Sequence, residues 1–441
     1  DTADLDLARH RVTLRRRTGG ADEGWHLKLP GSAGIAGPRT EIRTPLHADV
    51  PDELRDAVLA IVRDRPLAAV ARITTARDVT TIYGADGAAL AEFCDDHVTA
   101  GRLRDGNPEA EQSWREWELE LIDAAAPGAD GLLARLANRL TDAGAVPAGH
   151  VSKLAKTLGD VAAPEVPGDP LHRAVAEQIV RLLESDRAVR ADTEDAVHQM
   201  RVATRQIRSL LQASAGSFGL GDGAWILGEL RELAAVLGAA RDAEVLAERY
   251  TSALNALPDE LVRGPVRERL VNGAWRRYQA GLRRSLTAMR SARYFRLLDA
   301  LDELVVTPSA PSEPEGRHLS IAASVRKVTR AAKDAGKAAE SERDHAVHRI
   351  RKAAKRLRYV AAATGHTKVE QRSKTIQTLL GEHQDSVVSR EHLLATADAA
   401  HAAGEDTFSY GLLYQREAEI ALWCEAQLGS ALKRLRRSAR R

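Results

Sequence analysis

The sequence predicts an α+β multidomain fold: an antiparallel β region followed by an all-α region built as two helical bundles. Three observations predict it. Short segments of alternating polar and apolar residues recur between residues 10 and 121. After residue 169 these give way to long Ala/Leu/Arg-rich stretches with helical spacing. Between the two, net charge changes sign: residues 1–168 hold 20 Lys+Arg against 27 Asp+Glu, and residues 169–441 hold 44 against 35. The sign change falls in the Pro/Gly-rich "GDVAAPEVPGDP" (159–170), which reads as a linker. The predicted organisation is a β domain at 1–160, a linker at 161–168 and a helical domain at 169–441. The helical domain divides into repeats at about 169–306 and 317–437, joined through "TPSAPSEPEG" (307–316).

In the first domain, "HRVTLRRR" (10–17) sets Val12 and Leu14 against Arg15 and Arg17. "WHLKL" (25–29) opposes His26 and Lys28 to Trp25, Leu27 and Leu29. "RTEIR" (39–43) groups Arg39, Glu41 and Arg43. "AALAEFCDDHV" (88–98) and "WREWELEL" (114–121) continue the pattern, the last with Glu116, Glu118 and Glu120 on one face. Helices are expected at about 51–63 and 129–143. A charged face on many strands has two explanations: an open sheet showing it to water, or a barrel turning it inward around a charged ligand. Three glutamates in a row repel one another unless cations sit among them, and hard divalent metals suit such oxygens.

The helical region opens with a cationic face. In "AVHQMRVATRQIRSLL" (196–211), His198, Arg201, Arg205 and Arg208 share an arc of about 80°, at 100° per residue. Met200, Ala203, Ile207, Leu210 and Leu211 lie opposite. A solvated helix face ordinarily intersperses acids for i,i+4 pairing, yet none occurs between Asp195 and Asp222. The pattern recurs in "AVHRIRKAAKRLRYVA" (346–361) as His348, Arg351, Lys355 and Arg358, opposite Ile350, Ala353, Leu357 and Val360. The two histidines are 150 residues apart. "LAAVLGAARDAEVL" (233–246) matches "IQTLLGEHQDSVVS" (376–389), aligning Gly238 with Gly381 and Asp242 with Asp385 at an offset of 143. The region therefore reads as two copies of one helical unit.

The paired H-x-x-R-x-x-x-[RK]-x-x-R helices resemble the CHAD domain, the conserved-histidine α-helical domain, over about residues 169–437. The resemblance implies two pseudo-symmetric bundles and a basic surface that binds inorganic polyphosphate. The implied ligands are His198, Arg201, Arg205, Arg208, His348, Arg351, Lys355 and Arg358. The chemistry agrees, because guanidinium forks suit phosphate oxygens and a histidine adds a pH-sensitive charge. Arg326, Lys327, Arg330 and Lys333 are candidates to extend the surface, and the tail "KRLRRSARR" (433–441) reads as a frayed basic end.

The series "DTADLDLARHRVTLRRRTGGADEGWHLKLP", "ARITTAR", "LAEFCDDHV", "WREWELEL" and "SKLAKTLG" resembles a CYTH domain, the triphosphate tunnel metalloenzyme fold, over residues 1–160. The resemblance implies an eight-stranded antiparallel barrel that hydrolyses inorganic triphosphate, or another triphosphate, with Mg²⁺ or Mn²⁺. Its basic tunnel residues map to Arg15, Arg17, Lys28, Arg77 and Lys153, with Arg72 a further candidate. Its metal ligands map to Glu41, Glu116, Glu118 and Glu120, with Asp96 a further candidate. The family's opening Glu-x-Glu-x-Lys strand does not occur in this sequence. Either the sequence, which starts at Asp1, begins inside a longer gene product, or the barrel is a degenerate one; as it stands, the tunnel is expected to be incomplete and its metal site depleted.

No apolar run approaches the roughly 20 residues of a membrane span, and no secretory signal is seen. Cys94 and Cys424 read as ordinary core thiols, so a cytoplasmic protein is expected, with polyphosphate granules as one address. A non-enzymatic targeting or scaffold protein for such granules is the alternative reading. With 4% aromatic residues and Tyr359 alone on the basic helices, stacking platforms are scarce, which disfavours nucleic acid. Nothing selects for adenine, as the adenylate cyclases of the CYTH fold would need.

Overall fold

A computed structural model describes residues 1–20, 22–31, 40–104, 106–123, 129–159, 161, 165, 170–213, 218–220, 224–306, 321–363 and 365–438. Arg39, most of the 161–168 linker, the 307–316 join and residues 439–441 of the basic tail lie outside the described residues.

The N-terminal elements are α1 (Asp6–Arg9), β1 (Thr13–Arg17), β2 (Gly24–Leu29), β3 (Thr40–Thr44), α2 (Asp52–Val62), β4 (Ala71–Tyr83), β5 (Ala89–Arg104), β6 (Asn107–Pro108), β7 (Gln112–Leu121), α3 (Ala129–Asp142) and α4 (Lys153–Leu158). β1, β2 and β3 pair antiparallel in that order, with Leu14, Leu27 and Ile42 in one cross-strand row. That face packs on α1 and α2, burying Leu7, Trp25, Leu27, Leu54, Val58 and Ile61. The second sheet is centred on β5, flanked by β4 and β7, with β6 paired at its end.

The strands do not close into a barrel. Ring closure needs a paired partner on both edges of every strand. Among the described residues no ladder joins the first sheet to the second. β1–β3 are five or six residues long, whereas β4 and β5 run to 13 and 16, so the short strands offer no edge of matching length.

The helices that follow are α5 (Pro170–Arg190), α6 (Ala196–Ala213), α7 (Trp225–Asn255), α8 (Gly273–Met289), α9 (Ala292–Val306), α10 (Ile321–Ala335), α11 (Glu340–Ala363), α12 (Thr367–Ala402) and α13 (Phe408–Ser438). The duplicated motifs fall on corresponding helices: the histidine motifs on α6 and α11, the Gly/Asp pairs on α7 and α12. No helix among the described residues is long and apolar enough to cross a membrane.

By packing, the chain divides into two compact units, Asp1–Arg231 with Leu286–Pro308, and Glu232–Ser285 with Ser309–Arg441. In the first unit, α5 packs against α2, α6 and α9. Its buried Asp186 is satisfied by Arg190 Nε at 2.6 Å and by the Tyr294 hydroxyl at 2.8 Å, as a charge in a dry site requires. In the second unit, Val328, Ile350, Leu357, Ile376, Leu380 and Leu435 form one core. Tyr250, Leu254, Leu270, Leu393 and Tyr410 form another. There α7 and α8 meet at Gly281, where an added Cβ would lie 2.8 Å from the Ala240 backbone.

Candidate functional site

Strand register assembles a charged cluster on the second sheet. Arg77 on β4, Asp96 on β5 and Glu116 on β7 are successive cross-strand partners, and Glu118 stands one row away opposite Cys94. Alternation puts all of them on one face. Arg77 donates to both oxygens of Asp96, from Nε at 2.7 Å and Nη2 at 2.6 Å, and also to Glu118. Lys153, at the start of α4, sends its ammonium among the same acids: 2.8 Å from Asp96 Oδ2, 2.7 Å from Glu116 Oε1, and bonded to Glu118. Trp114 Nε1 donates to Glu116 at 2.5 Å, and His150 Nε2 lies 3.6 Å from it.

Asp96 has no solvent exposure. Burial works to raise its pKa, but the bonds from Arg77 and Lys153 outweigh burial and hold the carboxyl below the usual range. Burial likewise opposes the bonds from Lys153 and Trp114 that lower Glu116. Asp96, Glu116 and Glu118 offer oxygens that all lie within 4.8 Å of one another. This is a hard-oxygen donor set of the kind Mg²⁺ and Mn²⁺ take. The donors fit such an ion, and the protein's own Lys153 and Arg77 neutralise much of their charge.

The first sheet presents the complementary sign. Thr13, Lys28 and Glu41 form one row, and Arg15, His26 and Arg43 the next, all on the face away from α2. Glu41 is the one acid in these rows. It accepts from Arg43 at 2.8 Å, contacts His26 Nδ1 at 3.0 Å and Arg15 at 3.4 Å, and lies 4.0 Å from Lys28. Burial pushes its pKa up, but the bonds from Arg43 and His26 bring it down to about 2. Burial, then the charge of Arg15, lowers Lys28. The two charged faces act on each other: Glu118 on Arg15, Glu120 on Lys28, and Arg77 on Arg17.

On α6, Met200, Ala203, Ile207 and Leu211 are buried, and His198, Arg201 and Arg208 are half-buried on the other side, with Arg205 exposed. On α11, Ile350 and Leu357 are buried, with Ala353 and Val360 partly so. Its basic residues line up along α12: His348 bonds to Gln384, Arg351 lies over Gly381, and Arg358 Nη1 donates to Gln377 at 3.1 Å. A Cβ at Gly381 would stand 3.4 Å from the Arg351 guanidinium, so the absent side chain makes room for it. Lys355 and Arg358 flank the Tyr359 ring at 5.9 and 5.3 Å, within cation–π range. Burial first, then Lys352 and Arg351, lowers His348 below the ordinary imidazole value.

The expected residues therefore sort by face. Arg15, Arg17 and Lys28 stand on the first sheet with Glu41, which binds cations of the chain and lies outside the carboxylate cluster. Arg77, Glu116, Glu118 and Lys153 meet at the second sheet, with Lys153 on the acids. Glu120 shares their face but stands outside the triad, whose third member is Asp96. Arg72 alternates onto the other face of β4. Arg43 and His150 were missed as site residues. Arg43's alternation with Glu41 was the available signal, whereas His150 lies in a segment without period. Arg326, Arg330 and Lys333 line a groove along α10 with Lys337, of about 510 Å³.

Comparison with known proteins gives concordant results. The CHAD domain profile matches residues 173–394, and the CYTH domain profile matches residues 1–133. Uncharacterised proteins of two Mycobacterium tuberculosis strains are each 60% identical over 465 aligned residues, which span 100% of this chain and 90% of theirs. Among solved structures, PptA from Streptomyces chartreusis aligns with TM-score 0.48 and 18% identity, over 61% of this chain and 100% of that one. The CHAD domain from the plant Ricinus communis aligns with TM-score 0.42 and 21% identity, over 61% of this chain and 90% of that one. Both TM-scores lie below 0.5, so neither bears on this chain's chemistry.

Proposed function

Because this chain belongs to the CHAD family and carries a CYTH domain ahead of its helices, we propose that it is a cytoplasmic, granule-associated phosphate-polymer protein: α6 and α11 bind inorganic polyphosphate, and the sheets bind and hydrolyse triphosphate. The observation that carries the binding claim is the division of both helices into a buried apolar stripe and a stripe of one histidine and three cations. Side chains on that stripe contact a ligand at no cost to the core.

In the sheets, the anion's place is the face of Arg15, Arg17, Lys28 and Arg43, whose forks and ammonium match phosphate oxygens. Asp96, Glu116 and Glu118 would hold Mg²⁺ or Mn²⁺. Bound there, such an ion supplies charge neutralisation for phosphate oxygens and an acidified water. Arg77 clamps Asp96 and Glu118, fixing their oxygens. Lys153 is at once the third side of that cage and a cation within reach of an arriving phosphate. One observation favours a second reading, in which the sheets sense a ligand without turnover and the chain serves as a targeting or scaffold protein. Lys153 and Arg77 already occupy the carboxylates that hydrolysis would commit to a metal.

The test is a titration of the full chain with long-chain polyphosphate and with single-stranded RNA of equal charge. Arg201→Ala with Arg205→Ala, and Arg351→Ala with Lys355→Ala, are each expected to weaken polyphosphate binding more than tenfold and to flatten its salt dependence by about one to two log units per log of salt. RNA binding as tight as polyphosphate binding, with equal sensitivity to both pairs, would replace the reading with a general polyanion surface. Mg²⁺- or Mn²⁺-dependent phosphate release from inorganic triphosphate separates the hydrolase from the passive sensor.

A further inference from the structure

We propose that Arg63 latches the sheet region to the helices of its own compact unit, so that α2 and α9 open and close as one cooperative piece.

Three observations converge on this residue. Its backbone is the first: Arg63 closes α2 by donating its N–H to the Leu59 carbonyl at 2.8 Å, with φ 61° and ψ −128°. Positive φ is costly for a residue with a Cβ and persists only where the surroundings over-determine it. The side chain is the second: it is 5% exposed, and its two terminal nitrogens bond separately to Asp299 and Asp302. Those acids lie three apart on α9, so one face of that helix offers both to one planar fork. The third is that the neighbouring contacts run the same way. Arg290 bonds to Asp56 on α2, and Arg187 Nε on α5 donates to the Ala57 carbonyl at 3.2 Å.

The economy of α2 explains why charge is used here. Its apolar side, Leu54, Val58 and Ile61, is committed to the first sheet, and polar bonds at its other side and C-terminal end add to its packing on α5. Without the guanidinium, Asp299 and Asp302 would be left as like charges one helical turn apart. The residue that carries the unusual φ is also the one whose guanidinium reaches both acids. The strained backbone and the buried fork are therefore two parts of one device.

Hydrogen exchange on the full chain tests it, comparing amides of α2 and α9 with those of α11 in the other unit. Arg63→Ala keeps the backbone cost and removes the fork. It is expected to speed exchange in both α2 and α9 by about tenfold, as the loss of two charged bonds from a buried guanidinium to half-exposed carboxylates implies, and to leave α11 unchanged. Asp299→Asn with Asp302→Asn keeps residue 63 and is expected to act in the same direction. Arg63→Gly removes fork and backbone cost together, and a smaller acceleration of both helices is expected. Native rates in Arg63→Gly would overturn the proposal, because the arginine would then be only a strained cap. Native rates in the double asparagine variant would overturn it too, even if Arg63→Ala failed to fold. Acceleration of α2 alone, with α9 unaffected, would show that the two do not open together.

Discussion

Arg77 and Asp96 are Cα partners on adjacent strands, and one guanidinium covers both oxygens of a carboxylate that water does not reach. Arg77→Ala leaves that acid with Lys153 as its remaining cation. The expected loss is about 1–3 kcal/mol of stability, the cost of an under-satisfied buried group. Urea unfolding measures it. Removing both partners, Arg77→Ala with Asp96→Ala, should cost less than the sum of the single changes, since the two act as a unit.

Glu118→Gln keeps volume and removes one charge from the oxygen cluster. Mn²⁺ binding measured by calorimetry should weaken by about tenfold or more, given that even an outer-shell change costs about 10–100-fold. The same variant should unfold at nearly the native urea concentration. Unaltered Mn²⁺ affinity would place the ion elsewhere.

Gly281→Ala adds one methyl where α7 and α8 touch backbone to backbone. Alanine favours an isolated helix by about 1 kcal/mol over glycine. Here the sign should reverse, with a net loss of about 1–3 kcal/mol from overpacking. A rise in melting temperature would show that the two helices separate freely.

Acid should act through His392 and His348. His392 is held at about 4 by burial and then by the charge of Arg277, and its Nδ1 lies 2.9 Å from the Tyr250 hydroxyl. The unfolded chain takes up a proton below about pH 6.5 that the folded chain refuses until about pH 4. Stability should therefore fall between those values and level off below. The fall between pH 7 and 5 should be about 1 kcal/mol, less than the full shift would give because the ring keeps some contact with solvent. Unfolding of His392→Gln at both pH values should show a smaller difference. His348 is also lowered, so any gain in polyphosphate affinity from its charge should begin below the ordinary imidazole range, and His348→Gln should remove it.

Much of this fold was legible because alternation and helical period are local properties. β1, β2, β3, α2, β5, β7 and α3 lie within a few residues of the segments their patterns marked. The face assignments followed, since side-chain direction in a strand is a parity, and Glu116 and Glu118 do share a face. What pattern does not encode is which strands become neighbours. Asp96 becomes the centre of a cluster only because β4 and β7 both pair with β5. Lys153 reaches it from a helix 57 residues further along the chain. Glu41 looked like Glu116 in composition, yet its neighbours in register are cations. Arg63 was invisible for a different reason: nothing in "AIVRDRP" announces a positive φ at an arginine.

The two offsets between the repeats, 150 and 143 residues, find their origin in the helix boundaries. His198 precedes the end of α6 by 15 residues, and His348 precedes the end of α11 by the same 15. Gly238 follows the start of α7 by 13 and Gly381 follows the start of α12 by 14. The length difference thus resides almost wholly in the joins, 214–224 in one copy and 364–366 in the other. A change confined to a connection rotates no helix and moves no motif, and its entropic cost grows only slowly with length. The joins are therefore where this architecture can be edited: a grafted tag there leaves the basic stripes of α6 and α11 intact, and Arg351 over Gly381.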